Sequence, residues 1–153
     1  MPRSETMISG ARSRTTRRAK IAAPARMVVA LAGDGEFLMN GQEFATAMQY
    51  GAAIIVLVVN NGMYGTIRMH QEREYPGRVS GTELSNPDFA AYARAFGGHG
   101  ETVERTADFA PAFQRAQASG KPAIIELRID PEAITPSATL SGLRSAALKS
   151  RAS

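Results

Sequence analysis

The sequence predicts an α/β fold with a mostly parallel, doubly wound sheet and helices on both faces. The first observation is a pair of short, continuous apolar runs, 27–32 and 53–59. Such runs are typical of strands that are covered on both faces, as they are in parallel sheets. The second observation is that helical patterns separate the predicted strands, with short connections between most of them. Strands that alternate with helices in this way pair in parallel through right-handed crossovers.

The predicted elements follow one another in a regular order from Met27. Two further strands follow the two apolar runs, and glycine or proline residues mark most of the boundaries. The tail over 136–153 shows only a weak helical pattern. We expect strands over 27–32, 53–59, 101–104 and 123–129, helices over 41–50, 66–72, 87–96 and 107–119, and a long surface loop over 73–86.

Several helix ends carry the residues that cap helices. Asn40 is predicted to be an N-cap, because Glu43 follows three residues later as in a capping box. Gly51 suits the position just after the end of the same helix. Asn86 is predicted to cap the helix after the long loop, with Pro87 in its first turn.

Composition excludes several classes of protein. The 153 residues include no cysteine, which excludes a disulfide framework and a zinc–thiolate site. No apolar run approaches the roughly 20 residues that cross a bilayer. We therefore expect a protein with no membrane partner and a cytoplasmic location. The length favours one domain, which we place at 19–135, followed by the tail over 136–153.

The net charge of +4 originates in the N-terminal head, residues 1–26. Seven of the 18 basic residues lie there, against the single acidic residue Glu5. Residues 1–18 show no apolar periodicity, and we expect a disordered basic extension. This extension could be a targeting peptide, a nucleic-acid-binding arm or a segment without function. We favour the last interpretation and expect no nucleic-acid partner.

Two polar blocks follow the two apolar strands, Gly33-Asp34-Gly35 after the first and Asn60-Asn61 after the second. The carboxyl ends of parallel strands form the crevice where α/β sheets bind ligands. Asp34 and Asn61 offer oxygen ligands there, and glycines let backbone N–H groups approach a phosphate closely. Mg²⁺ prefers six oxygen ligands and often shares them with phosphates. The blocks therefore predict a Mg²⁺ site shared with a diphosphate.

The same blocks resemble the diphosphate-binding motif of thiamine diphosphate-dependent enzymes. The motif stands here as GDGEFLMNGQE from Gly33 and as IIVLVVNNGMYG from Ile54, and the acetolactate synthase and benzoylformate decarboxylase branch matches best. The resemblance extends from about Lys20 to Arg144. It implies the α/β fold of that family, with thiamine diphosphate and Mg²⁺ as cofactors.

The resemblance also implies roles for individual residues. Asp34 and Asn61 would bind Mg²⁺ with their side chains, and Met63 with its main-chain carbonyl. The residues expected at the diphosphate are Gly33, Asp34, Gly35, Glu36, Phe37, Asn61, Met63 and Tyr64. The Glu36 carboxylate would repel the anion unless it points away. Asn60 is expected to order the turn by hydrogen bonds.

Other residues have less specific expectations. The ring of Tyr64 could lie beside the cofactor or be a partly buried aromatic group. Ile67 and His70 occupy the positions where relatives line the substrate pocket, although a surface histidine is the favoured interpretation of His70. His99 lies between glycines and is expected in a loop.

The resemblance also shows what this sequence lacks. The family activates its cofactor with a glutamate from a separate pyrimidine-binding domain, and neither Glu43 nor Glu72 can replace it. The family's glycine-rich segment before the first strand is not matched near Gly10. We therefore expect an oligomer that needs a pyrimidine-binding domain or subunit and acts on a 2-oxo acid. The alternatives are an inactive fragment or assembly module of such an enzyme and, least favoured, a nucleic-acid binder.

Overall fold

The computed structural model describes residues 6–9 and 13–152, and these residues form two compact units. The first unit contains the chain up to Asn60 together with Asn86–Arg128, and the second contains Asn61–Ser85 and the chain from Ile129 onward. In chain order the elements are β1 (Thr6–Ser9), α1 (Ser13–Ala22), β2 (Val28–Gly33), α2 (Asp34–Asn40), α3 (Glu43–Gln49), β3 (Ile54–Asn60), α4 (Gly65–Glu74), α5 (Phe89–Ala95), β4 (His99–Val103), α6 (Thr106–Ala118), β5 (Ala123–Arg128), β6 (Ala133–Thr135), β7 (Ala138–Thr139) and α7 (Leu140–Ala152).

The first unit is built on a parallel sheet with the strand order β1-β2-β3-β5-β4. In the register of the central strands, Ala30 lies beside Val56 and Val56 lies beside Ile124. Because all these strands run in the same direction, their carboxyl ends meet at one edge of the sheet. The predicted fold class, with its mostly parallel sheet, is therefore confirmed.

Alternate residues of the strands bury their side chains against helices on opposite faces of the sheet. On one face, Phe37 of α2, Phe44 of α3 and Phe89 of α5 pack against the strands. On the other face, Ala112 and Ala116 of α6 do so. Phe89 is fully buried, and its ring meets that of Phe37 edge to face at 5.5 Å. The strands β2, β3 and β5 therefore each contribute to two apolar cores, which explains why the sequences of β2 and β3 are continuously apolar.

The second unit consists of α4, α7 and the antiparallel pair β6–β7. Glu72 of α4 is buried, with 1% of its surface exposed. Arg144 of α7 donates two hydrogen bonds to its carboxylate. Arg68 and the Gly77 N–H also donate to it. These donors, Arg144 first among them, lower the pKa of Glu72 to about 2. A buried ion pair therefore joins the two helices of this unit.

Within the stretch 1–18, which is predicted to be a disordered extension, residues 6–9 form a strand and 13–18 belong to α1, while 1–5 and 10–12 lie outside the described residues. Residues 6–9 form β1, whose Thr6 lies beside Val28 and whose Ser9 lies beside Leu31. Strand pairing uses backbone groups, which even a polar sequence without periodicity provides. The division into 1–18, 19–135 and 136–153 stays a prediction.

Two predicted caps are wrong. Asn40 ends α2 instead of starting a helix, because α2 already begins at Asp34, and α3 follows Gln42 without a side-chain cap. Asp88, not Asn86, caps α5, since its Oδ1 accepts from the Ala91 N–H at 2.7 Å. The amide of Asn86 is hydrogen-bonded elsewhere.

Other local predictions agree with the structure. Gly51 has a φ of 58°, as the position after a helix end requires. The tail contains the helix α7. No helix in residues 13–152 combines the length and apolar character that a bilayer crossing requires.

Candidate functional site

Asp34 lies where β2 ends and α2 begins, at the carboxyl edge of the sheet. Its residue surface is only 3% exposed. The Gly35 N–H donates to Asp34 Oδ1 at 2.9 Å. A buried carboxylate requires such donors, because burial without them carries a large desolvation cost. The first polar block therefore presents one buried, hydrogen-bonded carboxylate.

Asn86 connects Asp34 to the end of β3. Its amide nitrogen donates to Asp34 Oδ2 at 2.7 Å and to Asn60 Oδ1 at 2.8 Å. Both hydrogens of the amide are therefore used. Its own Oδ1 is buried and, among the described residues, accepts no hydrogen bond. Asn86 thus donates to one oxygen of Asp34, and its own amide oxygen is an acceptor that no described residue uses.

A second buried carboxylate, Glu126 of β5, lies at the other end of this chain of hydrogen bonds. It is 1% exposed. Its Oε1 accepts from Asn60 Nδ2 at 2.7 Å and from Arg128 Nε at 3.2 Å, and its Oε2 accepts from Thr102 Oγ1 at 3.1 Å. We call Asp34, Asn86, Asn60 and Glu126 the strand-end network. All four residues belong to the first unit.

Sequence reasoning missed Asn86 and Glu126 as members of a site. The available signal for Glu126 was an acidic residue inside the apolar run of β5, because carboxylates are rarely buried without partners. Asn86 gave a misleading signal, since an asparagine before a proline is also a common helix start. The predicted role of Asn60 in hydrogen bonding agrees with its contacts to Asn86 and Glu126.

The remaining residues of the first block form the turn into α2. The Gly33 N–H donates to Glu36 Oε2 at 3.2 Å, so the Glu36 carboxylate folds back onto the turn. Gly35 is buried, and the Phe37 ring points into the core against Phe89. Phe37 can therefore offer its backbone, but not its ring, to a ligand at this turn.

The second unit begins at Asn61, the second residue of the second block, with a tight turn. Asn61 Oδ1 accepts from the Met63 N–H at 3.2 Å, and Gly62 has a φ of 71°. The Met63 carbonyl accepts from the Gly65 N–H, and the Tyr64 N–H donates to the Thr82 carbonyl, both at 2.9 Å. The turn is thereby fixed inside its own unit.

The structure also locates the weaker candidates. Ile67 and His70 lie on α4 and are exposed, and Tyr64 is partly buried just before it. Glu43 starts α3. The expectation that His99 lies in a loop is wrong, because His99 begins β4 and its Nε2 lies 2.7 Å from Glu101 Oε1.

The part of the chain that the structure describes contains no group of three or more His, Cys, Asp or Glu residues able to hold a metal. A metal at Asp34 would therefore need amide, carbonyl or phosphate oxygens as further ligands. That requirement suits a hard cation such as Mg²⁺, which takes few protein carboxylates and borrows ligands from a bound phosphate.

Comparison with known proteins gives the family. Residues 16–127 match the family model described as "Thiamine pyrophosphate enzyme, C-terminal TPP binding domain". The chain belongs to this thiamine pyrophosphate enzyme family. The resemblance inferred from the two polar blocks is confirmed, and so is the thiamine diphosphate-binding character of the domain.

Relatives of this C-terminal TPP-binding domain include curated acetolactate synthases. The chain is 37% identical over 118 residues to "Acetolactate synthase large subunit IlvG" of Mycobacterium tuberculosis, which covers 77% of this chain and 22% of that protein. It is 35% identical over 123 residues to "Putative thiamine pyrophosphate-containing protein YdaP" of Bacillus subtilis, covering 77% and 20%. The TPP-binding domain thus spans about a fifth of the length of these relatives.

Two solved structures that share this fold are named as decarboxylases. Benzoylformate decarboxylase from Polynucleobacter necessarius superimposes with a TM-score of 0.70 at 27% identity, over 81% of this chain and 23% of that one. The thiamine diphosphate-dependent 4-hydroxybenzoylformate decarboxylase of Rhodococcus jostii RHA1 gives 0.69 at 31% identity, over 75% and 22%.

Proposed function

We propose that this chain binds thiamine diphosphate together with Mg²⁺, as the diphosphate-binding part of an acetolactate synthase-like 2-oxo acid decarboxylase or carboligase. The observation that carries the proposal is the buried Asp34 carboxylate at the carboxyl end of β2, held by Gly35 and Asn86. An ionised carboxylate has about four acceptor positions, so it can receive these bonds and still ligate a cation.

The proposed Mg²⁺ ligands are the side chains of Asp34 and Asn61 and the carbonyl of Met63. The spacing of the family motif supports this set. The ligand atoms support it too, because all three are oxygens, which Mg²⁺ prefers. Diphosphate oxygens and water would complete the coordination of the ion.

The diphosphate is proposed to lie against the backbone of Gly35, Glu36, Phe37 and Tyr64. The N–H groups of Gly35 and Tyr64 already donate to Asp34 Oδ1 and to the Thr82 carbonyl, so these two residues would contribute close approach of the backbone. The Gly33 N–H already donates to Glu36 and is not proposed as a donor to the diphosphate. Gly33 would instead allow the diphosphate to come close, because it has no side chain. The bond from the Gly33 N–H holds the Glu36 carboxylate at the turn, so it does not support the requirement that this charge points away from the anion.

When bound, thiamine diphosphate supplies the electron sink for decarboxylation, and the protein supplies binding and orientation. In this family a glutamate of a pyrimidine-binding domain activates the cofactor. We propose that such a domain, from a partner subunit or from the rest of a longer chain, completes the site within an oligomer. The substrate would be a 2-oxo acid.

Isothermal titration of the purified chain with thiamine diphosphate, with and without Mg²⁺, tests the proposal. We expect Mg²⁺-dependent binding that Asp34→Ala abolishes, because the buried anionic ligand is lost. Asp108→Asn is the matched control, since Asp108 forms only a surface ion pair with Arg105. Failure of the wild-type chain to bind, or unchanged binding by Asp34→Ala, would contradict the proposal.

A further inference from the structure

We propose that Asn86 is a positioning residue for the metal ligand Asp34, and that Glu126 sets the direction of the hydrogen bonds that make this possible. This inference rests on the proposed Mg²⁺ site. It concerns two residues that lie outside the two polar blocks, one in the loop before α5 and one on β5.

The argument starts at Glu126, because a carboxylate can only accept hydrogen bonds. The Asn60 amide must therefore turn its nitrogen toward Glu126, as the distance of 2.7 Å between these atoms shows. Asn60 Oδ1 then faces away from Glu126 and becomes the acceptor for the next residue. The orientation of one amide is thus decided by the charge of its neighbour.

The same reasoning orients Asn86. It meets Asn60 Oδ1 on one side and the Asp34 carboxylate on the other, and both are acceptors. Only the nitrogen of the Asn86 amide satisfies both, with one hydrogen for each. Every bond in the strand-end network therefore has a defined direction, with donors placed between two carboxylates.

This arrangement restricts the side-chain rotation of Asp34. The terminal torsion of an aspartate is broad and roughly two-fold, so packing alone sets its carboxylate plane poorly. Asn86 holds Oδ2 and the Gly35 N–H holds Oδ1, which together define that plane. Partners that orient a ligand in this way usually affect metal affinity strongly.

The network also connects Asp34 to the best-buried part of the first unit. β3 lies between β2 and β5, so the hydrogen bonds pass from the end of β2 across β3 to β5. Glu126 itself is fixed from two further sides by Thr102 of β4 and by Arg128. The loop residue Asn86 is thereby held by the sheet.

The experiment measures the Mg²⁺ dissociation constant by calorimetry at saturating thiamine diphosphate, for the full chain and for Asn86→Leu and Asn86→Ser. Leucine has the same number of side-chain heavy atoms as asparagine and removes the donor, whereas serine keeps a short donor. We expect Asn86→Leu to raise the dissociation constant by about 10- to 100-fold, and Asn86→Ser to raise it less. Ser85→Ala, an exposed neighbour in the same loop, is the control and should leave it unchanged.

Glu126→Gln tests the direction of the network at a distance from the metal. Glutamine can donate as well as accept, so the Asn60 amide is free to turn over and present its nitrogen to Asn86. We expect a several-fold rise in the Mg²⁺ dissociation constant, although Glu126 has no hydrogen bond to Asp34 among the described residues. A Mg²⁺ affinity equal to that of the wild-type chain would overturn the role of Glu126.

Thermal unfolding without cofactor separates positioning from a purely structural role. If Asn86→Leu unfolds cooperatively and binds Mg²⁺ like the wild-type chain, the inference is overturned while the proposed function stands. Loss of folding in both Asn86 variants would also overturn it, because the network would then serve the fold. If the wild-type chain itself shows no Mg²⁺-dependent binding, the proposed function and the inference fail together.

Discussion

Gly33 shows at the scale of a single residue how the fold and a ligand make different demands. Its backbone, with φ −69° and ψ 159°, is one that any residue can adopt. Apart from its chain neighbours, no atom of the described residues would lie within 4 Å of a Cβ added there. Nothing in the described part of the fold therefore requires glycine at this position, whereas a diphosphate that lies against the backbone would.

We predict that Gly33→Ala changes stability little but weakens binding. The stability without cofactor should change by less than about 1 kcal/mol, because alanine reduces the entropy of the unfolded chain but is a poorer N-cap for α2 than glycine. It should bind thiamine diphosphate with Mg²⁺ at least about tenfold more weakly, since the new methyl group occupies the approach to the backbone. Urea unfolding and calorimetry measure the two effects.

Gly120→Ala is the matched control for this substitution. Gly120 follows α6 with a φ of 63°, and alanine there costs about 1–2 kcal/mol of backbone strain. Its binding should equal that of the wild-type chain. Equal affinity of Gly33→Ala and the wild-type chain would show that no ligand approaches the turn.

At the scale of elements, α4 and α7 are joined by the carboxylate of Glu72. Removing the Arg144 side chain leaves this buried group with Arg68 and the Gly77 N–H. We predict that Arg144→Met lowers the free energy of unfolding by about 1–3 kcal/mol. The value lies below that of a fully buried pair because Arg144 is 37% exposed. Urea unfolding measures it, with Arg105→Met as the surface-pair control.

The pH dependence of stability gives a second measurement of the same contact. The pKa of Glu72 falls from 4.5 to about 2 on folding, so the unfolded chain takes up the proton first. The contribution is complete above about pH 4.5 and is lost as the pH falls toward 2. Arg144→Met should flatten this part of the stability profile. An unchanged slope would contradict the assignment of the pKa shift to Arg144.

At the scale of the whole molecule, we predict cofactor binding without turnover. In the proposed site, diphosphate binding would need Asp34, Asn61, Met63 and the glycine turn, and cofactor activation would need a glutamate from a pyrimidine-binding domain. The purified chain should therefore consume no pyruvate at saturating thiamine diphosphate and Mg²⁺. Adding a complementary pyrimidine-binding domain should restore consumption.

The same assay separates the proposed enzyme part from an inactive assembly module. Exposed apolar side chains on α2, Leu38 at 43% and Met39 at 65%, support an interaction surface in either case. Binding of the complementary domain without turnover would favour the module. Turnover by the chain alone, abolished by Asn61→Ala, would show that the site is complete and that the prediction is wrong.

Local patterns were sufficient for the fold class and for the place of the two polar blocks. Strands buried on both faces need continuous apolar runs, and β2 and β3 have them. The family motif depends on residues close together in sequence, so it can be recognised without a structure. The strand β1 escaped prediction because its pairing uses the backbone, which leaves no side-chain pattern.

The sequence by itself therefore determined the fold class, the strands β2 to β5 and the turn that carries Asp34. Only the tertiary structure decided what surrounds that carboxylate. Asn86 lies 52 positions from Asp34 along the chain, and Asn60 lies 66 from Glu126. An asparagine can cap a helix or orient a carboxylate with the same amide, and the choice depends on which acceptors the folded chain brings within 3 Å. Those acceptors come from other strands, so no local pattern contains the answer.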